Sequence, residues 1–353
     1  MLAVESKVAR AETADSLKAN PNRSWKHIVE PLEPFLQAVT QRLIEQVNDF
    51  DPQIVPYAQY ALNGGGKHLR PTLVALAANA SGKTGDAHVN AAVIIEMVHL
   101  ATLVHDDVMD EAEIRRGQLT LAANWGNEIA VLFGDCLFAQ ALKLAASFPT
   151  PEVCRAVAMA TNTVCSGEIL QTQHRRKFQV SRHEYFRVIE MKTAELFTLS
   201  CDLAALLSEA TTEHRGALRH FGTAFGTAYQ VYDDCVDLFG SEATAGKSLG
   251  TDLAKGKLTW PVLLAWERAN VADRIQLENL VKNWQTENFP VINELLDKYE
   301  TFEPTREVIA NFLGQARRSL RRLPESNGRA GLSDLADFLA QQTEALAVSV
   351  KYP

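Results

Sequence analysis

One stretch decides the fold class of this chain: residues 94–110 read IIEMVHLATLVHDDVMD. The run is apolar, with Glu96 and His99 the exceptions, and it ends in Asp106, Asp107 and Asp110. A predominantly apolar run with no turn residue predicts a buried helix over 91–110. The apolar part, from Ala91 to Val104, is shorter than the ~20 residues that a membrane-spanning helix needs.

Helical periodicity extends in both directions from this stretch. After Pro31, apolar side chains recur every three or four residues, as in Leu32, Phe35, Leu36 and Val39. Alternating strand patterns are absent, so we predict an all-α fold: one bundle of roughly a dozen helices around a central cavity, over residues 31–350, after a polar N-terminal extension over 1–30 that is partly disordered. Five helices are apolar around most of their circumference and predict core or oligomer interfaces: 91–110, 128–146, 156–172, 191–208 and 217–239.

Charge and cysteine content exclude several functions. The net charge of the 353-residue chain is −8, so no global positive field attracts nucleic acid or an anionic membrane. The five cysteines form no C-x-x-C pair, which argues against a zinc site or a disulfide framework. No signal-peptide pattern opens the sequence. We therefore expect a cytoplasmic protein without stable membrane insertion and without a nucleic-acid partner.

The three aspartates recur at the same spacing. Asp233, Asp234 and Asp237 follow Tyr229-Gln230-Val231-Tyr232, 127 residues after the first cluster. Most acidic runs are solvated faces, but these have no cation four residues away, and such unpaired carboxylates destabilise a helix that is apolar elsewhere. Oxygen ligands without histidine or cysteine suit Mg²⁺, which binds a few carboxylates together with water and phosphate oxygens. The repeat thus indicates a multi-metal diphosphate site.

Basic residues accompany the acidic clusters, as a diphosphate site requires. Lys67 and Arg70 come after Gly64-Gly65-Gly66, and Arg115-Arg116 follow the first aspartates. Further cations stand at Lys192, beside Thr193, and, after the second cluster, at Lys247, Lys255 and Lys257. A P-loop is excluded, because neither Gly-Lys-Thr nor Gly-Lys-Ser has the required earlier glycine.

With these motifs in order, the chain resembles the trans-isoprenyl diphosphate synthases, also called polyprenyl synthetases. The resemblance rests on GGGKHLRP at 64–71, HLATLVHDDVMD at 99–110, RRG at 115–117, KT at 192–193 and QVYDDCVD at 230–237. Further matches are GK at 246–247, GTDL at 250–253 and GK at 256–257. Together they cover about residues 30–345.

The resemblance implies site residues, which fall into three groups. All six aspartates hold metal: Asp106, Asp107, Asp110, Asp233, Asp234 and Asp237. Isopentenyl diphosphate binds to Lys67, Arg70, His99 and Arg116. The allylic diphosphate binds to Arg115, Lys192, Thr193, Gln230, Lys247 and Lys257, and Lys192 is counted as catalytic together with the six aspartates. From the residues alone, His99 is as readily a core histidine, and His105 is taken as structural.

The resemblance also implies a mechanism and a homodimer. Three Mg²⁺ ions draw the diphosphate from an allylic substrate, the double bond of isopentenyl diphosphate attacks the resulting carbocation, and the released diphosphate takes the proton. The residues agree with this scheme, because ionising a C–O bond requires stabilisation of the leaving group rather than a nucleophile.

Product length is expected to depend on the helix face behind Asp106. One helical turn rises about 5.4 Å, comparable with one isoprene unit, so a bulky residue in any turn closes the channel. Ala101 and Thr102 are small, and Met97 and Val98 lie in the next turn. The pattern resembles long-chain synthases and predicts a product of geranylgeranyl length or longer. Phe133 and Phe138 close the channel early if they lie beside it, and ordinary core packing explains each of these residues singly.

Three other functions stay open at this point. A shorter-chain synthase makes farnesyl diphosphate with the same motifs. A class I terpene cyclase uses one D-D-x-x-D cluster but lacks the second cluster and the second diphosphate site. A catalytically silent subunit binds a partner synthase through its apolar helices.

Overall fold

A computed structural model describes residues 24–63, 66–241 and 248–351. These residues are predominantly helical, which confirms the predicted all-α fold. The one correction is a two-stranded antiparallel hairpin, in which Ile114 pairs with Leu119 and Arg115 pairs with Gln118. Such a short hairpin leaves no alternating pattern to detect.

The helices are numbered α1 to α17 in chain order. The first six are α1 (Trp25–Val29), α2 (Glu33–Asn48), α3 (Val55–Leu62), α4 (Leu69–Ala80), α5 (Asp86–Met109) and α6 (Leu121–Trp125). The next six are α7 (Asn127–Ala146), α8 (Pro151–His174), α9 (Arg182–Ile189), α10 (Glu195–Leu207), α11 (Thr212–Phe239) and α12 (Thr251–Ala254). The last five are α13 (Trp260–Arg268), α14 (Val271–Lys282), α15 (Phe289–Lys298), α16 (Phe302–Leu320) and α17 (Asn327–Lys351).

Five short segments complete the described secondary structure. The 3₁₀-helices are Glu30–Leu32 and Thr286–Asn288, and a π-helical turn, Glu190–Ala194, joins α9 to α10. The strands are β1 (Ile114–Arg115) and β2 (Gln118–Leu119). Several helices have only one or two turns, which is why the bundle has more helices than the predicted dozen.

Two long helices, α5 and α11, form the centre of the bundle. Helix α5 packs against α2, α4, α7 and α10, while α11 packs against α10 and α16. On α5, the residues from Ala91 to Ile95 are completely buried. The apolar run that dominated the sequence is therefore the core of the bundle, and its C-terminal end places the first aspartate cluster.

A smaller apolar cluster lies beside the main core. It contains Leu253, Val262, Leu277 and Ile292, and Phe239 and Leu258 pack against both clusters. Because the clusters share these residues, the second one extends the main bundle.

The described residues begin inside the segment predicted as an extension. Ser24 caps α1, where Ile28 is buried, and Trp25 lies 6.0 Å from the ring of Phe338 on α17. This aromatic contact packs the first helix against the last one. The rest of the predicted extension, residues 1–23, lies outside the described residues.

Helices α5 and α7 are long and apolar enough to cross a membrane by length and composition alone. Core helices of water-soluble proteins have the same composition, and 61% of the most apolar window of α5 is buried in the protein. For α7 the buried share is 39%, so much of its apolar surface faces outward.

Candidate active site

The first aspartate cluster lies at the C-terminal end of α5, and each of its carboxylates is bonded to a cation. Lys192 Nζ lies 3.4 Å from Asp106 Oδ2. Arg115, on β1, donates to both oxygens of Asp107 through Nε, at 2.8 and 3.0 Å. The hairpin after α5 therefore folds back onto the cluster, which explains why Arg115 follows it so closely in sequence.

Asp110 is the meeting point of three cations. Its Oδ1 accepts a hydrogen bond of 2.8 Å from Arg175 Nη2, beyond the end of α8. Its Oδ2 accepts one of 2.7 Å from Lys257 Nζ and lies 3.2 Å from Lys255 Nζ. The two lysines lower the pKa of Asp110, although burial alone would raise it. The segment after the second cluster is thus tied directly to the first cluster.

The second cluster lies at the C-terminal end of α11, and its three carboxylates have different surroundings. Asp233 is half-buried, whereas Asp234 is 3% exposed and Asp237 is completely buried. Asp237 Oδ1 accepts bonds from the Thr251 N–H and hydroxyl, at 3.2 and 2.6 Å, and Oδ2 accepts one from the Asp252 N–H at 3.1 Å. Asp237 therefore caps α12 and fixes the loop that carries Lys255 and Lys257.

Asp234 is held by two neighbours. The Tyr185 hydroxyl donates to its Oδ2, and Gln230 Nε2 donates to its Oδ1 at 2.8 Å. Burial, followed by the nearby Asp252 carboxylate, raises the pKa of Asp234 well above its usual range. A cation near Asp234 would relieve this cost, because it stabilises the ionised form.

The π-helical turn places Lys192 and Thr193 between the clusters. Thr193 donates to Gln230 Oε1 at 2.8 Å, so it lies beside the second cluster. Lys192 donates to Gln171 Oε1 at 2.8 Å and is paired with Glu168. Burial opposes the charge of Lys192, but Asp106 and Glu168 outweigh it and raise the pKa of the ammonium group.

Two glycines allow this turn to pack closely. A Cβ on Gly167 of α8 would lie 2.7 Å from the Lys192 backbone nitrogen, and one on Gly226 of α11 would lie 2.8 Å from Ala194 Cα. Contacts that short do not occur in folded proteins, so alanine at either site would push the turn away. π-Helical turns are often found at functional sites.

A cavity of about 110 Å³ opens between these elements. Its polar wall contains Gln171, His174, Lys192, Thr193, Gln230, Asp234, Asp252, Lys257 and Thr259. Its apolar wall contains Val180, Tyr185, Val188, Ile189 and Leu258. Four of the predicted allylic-diphosphate residues thus share one cavity. A fifth, Arg115, is bonded to Asp107, and Lys247 lies outside the described residues.

The residues predicted to bind isopentenyl diphosphate include a second concentration of positive charge. The Arg70 guanidinium lies 4.8 Å from the centre of the Phe197 ring, and its Nε is buried without a hydrogen-bond partner. Burial lowers the pKa of His99 well below its usual range, and Arg70 and Arg116 lower it further. A cluster with neutral histidine and two guanidinium groups is suited to an anion. Lys67 is exposed nearby in sequence.

The four residues predicted to set product length lie on α5. Ala101, Met97 and Val98 are buried, and Thr102 is partly buried, its hydroxyl donating to His99 O at 2.7 Å. None of them lines the 110 Å³ cavity. Phe133 is buried on α7, and Phe138 contacts the His105 ring at 5.7 Å. Their role in product length stays a prediction.

Several residues in the site carried no assignment from sequence. These are Glu168, Gln171, Arg175, Tyr185, Asp252 and Lys255. Asp252 lies inside the GTDL motif, and the sequence marks Lys255 only as one of the cations after the second cluster. The other four belong to α8, the segment after it, and α9, where nothing in the local pattern marks a site.

Comparison with known proteins agrees with this geometry. Residues 51–298 match the family model described as polyprenyl synthetase. The chain is 33% identical to octaprenyl diphosphate synthase from Escherichia coli (strain K12), covering 87% of this chain and 95% of that protein. It is 35% identical to heptaprenyl diphosphate synthase component 2 from Bacillus subtilis (strain 168), covering 86% and 87%.

Solved structures show the same fold. A decaprenyl diphosphate synthase from Rhodobacter capsulatus superposes with a TM-score of 0.86 at 32% identity, covering 91% of this chain and 99% of that one. A polyprenyl synthase from Caulobacter crescentus CB15, complexed with calcium and isoprenyl diphosphate, gives 0.85 at 31% identity, covering 90% and 97%. The chain therefore belongs to the polyprenyl synthetase family. It is accordingly a prenyltransferase, of the isoprenyl diphosphate synthase kind.

Proposed function

We propose that the chain is an all-trans-polyprenyl diphosphate synthase, which condenses isopentenyl diphosphate with an allylic diphosphate and releases diphosphate. The observation that carries the proposal is the bond between Asp110 and Lys257. It joins the first aspartate cluster to the loop after the second cluster, so that both diphosphate-binding halves of the motif set border one site.

Magnesium is the cofactor we propose, and the donor set fits it. Mg²⁺ takes oxygen ligands and keeps several waters or phosphate oxygens around one or two carboxylates. Within residues 24–63, 66–241 and 248–351, no three acidic, histidine or cysteine side chains surround one point, so substrate oxygens and water would complete the coordination. When bound, Mg²⁺ supplies charge stabilisation for the diphosphate leaving group, and we propose three such ions.

The six aspartates are proposed to have two different roles, metal binding and loop positioning. Asp106, Asp110, Asp233 and Asp234 are the strongest candidates for metal binding, and Asp107 is also a candidate once Arg115 turns to the substrate. Asp237 has both oxygens engaged with the start of α12. We therefore assign Asp237 to holding the lysine-bearing loop.

The cations that now pair with carboxylates are proposed to bind the allylic diphosphate during the reaction. Arg115, Lys192 and Lys257 are each paired with an aspartate, and a divalent ion can take their place as the partner of that aspartate. Thr193, Gln230 and Lys247 complete this set. As the allylic C–O bond breaks, negative charge passes to the diphosphate, and preorganised cations stabilise it without reorganisation.

Isopentenyl diphosphate is proposed to bind at Arg70, His99 and Arg116, together with Lys67. Its double bond attacks the allylic carbon, a new C–C bond forms, and the proton lost from the product passes to the released diphosphate. The buried, unpartnered Nε of Arg70 supports an anion at this position.

The proposed product is geranylgeranyl diphosphate or a longer chain. The relatives named above make seven to ten isoprene units by name, and Ala101 and Thr102 are small. The growing chain is proposed to follow α5 behind Asp106.

A homodimer is the proposed assembly, in the cytoplasm and without nucleic acid or stable membrane insertion. Leu132 and Leu142 on α7, and Met159 and Ile169 on α8, are apolar residues of two packed helices that remain 37–65% exposed. Exposed apolar residues on neighbouring helices are typical of a protein interface. The same face could receive a different subunit, as the component name of the Bacillus relative suggests for that protein.

One incubation tests the function. The purified chain is mixed with Mg²⁺, isopentenyl diphosphate and either farnesyl or geranyl diphosphate, and the products are dephosphorylated and sized. Elongation to 20 carbons or more is expected. Products that stop at 15 carbons from geranyl diphosphate would indicate a farnesyl synthase, cyclic hydrocarbons a terpene cyclase, and no turnover a silent subunit.

A further inference from the structure

Asp234 differs from the three aspartates of the first cluster in having no cation bonded to it in the described contacts. Its partners are neutral: the Tyr185 hydroxyl on one oxygen and the Gln230 amide on the other. It is nevertheless 3% exposed and lies near the Asp252 carboxylate. A buried carboxylate depends strongly on its hydrogen bonds, so these two donors determine where its oxygens point.

Tyr185 is fixed in place by its surroundings. It lies on α9 with its ring 5.0 Å from Phe186 and 5.9 Å from Trp260, and 6% of the residue is exposed. Arg182 Cζ lies 5.3 Å from the centre of the Trp260 ring, on the outer side of this aromatic cluster. A rigid ring with one polar atom can hold a partner at a defined position at little entropic cost.

Both Tyr185 and Asp234 line the 110 Å³ cavity, together with Lys192 and Lys257. A carboxylate offers about four lone-pair positions on its two oxygens. One bond to Tyr185 and one to Gln230 leave a position free on each oxygen for a ligand in the cavity. Tyr185 therefore orients Asp234 and leaves lone-pair positions on the carboxylate for a ligand.

We propose that Tyr185 is a positioning residue of this enzyme, whose hydroxyl holds the Asp234 carboxylate in the orientation that accepts a divalent cation with its diphosphate. The inference rests on the proposed function and extends it to a residue on α9, outside the aspartate motifs. Tyr185 itself contacts neither reacting carbon in this scheme.

The test compares Tyr185→Phe with two matched variants. Tyr299→Phe removes another tyrosine hydroxyl that bonds an aspartate, Asp273 at 2.5 Å, in the smaller apolar cluster. Phe186→Leu disturbs the packing beside Tyr185 and keeps its hydroxyl. Binding of Mn²⁺ in the presence of inorganic pyrophosphate is followed at 20 °C by loss of the free-ion EPR signal, so no turnover is needed.

Tyr185→Phe should bind Mn²⁺ roughly tenfold more weakly, since a hydrogen bond to a charged group carries about that much free energy. The Mg²⁺ concentration for half-maximal elongation should rise by a similar factor, while kcat at saturating Mg²⁺ recovers most of its value. Tyr299→Phe and Phe186→Leu should bind Mn²⁺ like the unmodified chain.

Wild-type Mn²⁺ affinity in Tyr185→Phe would overturn the inference, as would an equal loss in either matched variant. Direct binding at a temperature below any unfolding keeps the result independent of a lowered melting point. The wild-type elongation assay separates the two proposals: elongation by the unmodified chain with no effect of Tyr185→Phe removes only the role of Tyr185, whereas absence of elongation removes the proposed function.

Discussion

Lys257 donates a 2.7 Å hydrogen bond to Asp110, a residue 147 positions earlier in the chain. This contact closes the site, because Asp110 ends α5 and Lys257 follows α12, which Asp237 of the second cluster caps. In this structure Lys257 is the charge partner of Asp110, and Asp110 is proposed to bind metal. Under the proposed function, Asp110 and Lys257 are both expected to exchange partners when substrate binds.

The aspartates should separate into two classes by mutation. Asp106→Asn is expected to lower kcat by roughly a hundredfold or more, because it removes a charge that organises the leaving group, and to leave the melting temperature nearly unchanged. Asp237→Ala is expected to lower the free energy of unfolding by about 1–3 kcal/mol, through loss of the α12 cap. Steady-state kinetics and urea unfolding of both variants provide the comparison. A stable, inactive Asp237→Ala would contradict the capping role.

Product length should respond to Ala101. Ala101→Phe places a ring one turn or more behind Asp106 and is expected to shorten the product distribution by at least one isoprene unit. Ala101 is completely buried, so the variant is also expected to lose about 1–3 kcal/mol of stability through overpacking. Chromatography of the dephosphorylated products measures the first effect.

Ala316→Phe is the control for overpacking alone. Ala316 is equally buried but lies on α16, which packs against α11 and α17. It should destabilise the chain with no change in product length. Unchanged products in Ala101→Phe would mean that this face of α5 is not the floor of the channel.

Acid should destabilise the chain through His99. Its pKa is held well below 6.5 in the folded protein, first by burial and then by Arg70 and Arg116, and returns to the ordinary value on unfolding. Below pH 6.5, His99 therefore binds a proton in the unfolded chain but stays neutral in the folded chain. The contribution of neutral His99 to the free energy of unfolding is fully present above that pH. It is lost as the pH falls, by at most about 1.4 kcal/mol per pH unit.

Urea unfolding of wild type and His99→Gln at pH 7.0, 6.0 and 5.5 measures this contribution. The difference in stability between the two chains should shift in favour of His99→Gln as the pH falls. His88, whose pKa is also lowered by burial, remains in both chains and cancels in the comparison. A pH-independent difference would show that His99 accepts its proton in the folded state.

The exposed apolar face of α7 and α8 should control assembly. The wild-type chain is expected to elute at twice its 39.0 kDa mass. Leu132→Glu, at a residue 61% exposed, should shift it to monomer, because a charge in an apolar interface is costly. Val271→Glu, at a residue 74% exposed on α14, is the matched control and should leave the mass unchanged. A monomeric wild type, measured by light scattering, would exclude the homodimer.

Much of this arrangement was predictable from sequence, because the strongest signals were local. The apolar runs on α5 and α11 fixed two central helices, and the spacing within DDVMD and DDCVD placed the carboxylates at their ends. Periodicity of 3.6 residues is a property of a single segment and needs no knowledge of its neighbours.

The parts that sequence did not predict depend on tertiary contacts. Arg175 and Tyr185 are assigned to the site only because the end of α8 and α9 pack beside the two clusters, and neither lies in a recognisable motif. The different environment of Asp237 also required the structure, since its spacing is identical to that of Asp110. Equal spacing indicates equal positions on a helix, but the loops that follow decide which carboxylate stays accessible.

The π-helical turn at Glu190–Ala194 has a consequence for tolerance to length changes. A π turn contains one residue more than an α-helix accommodates in the same space, so deleting one residue there would restore regular α-helical bonding. The flanking helices would keep their places, but the side chains within the turn would move to regular α-helical positions, which are about 100° apart. Lys192 and Thr193 would then no longer both face the two clusters. A deletion that improves the helical hydrogen bonding of this segment is therefore expected to inactivate the protein.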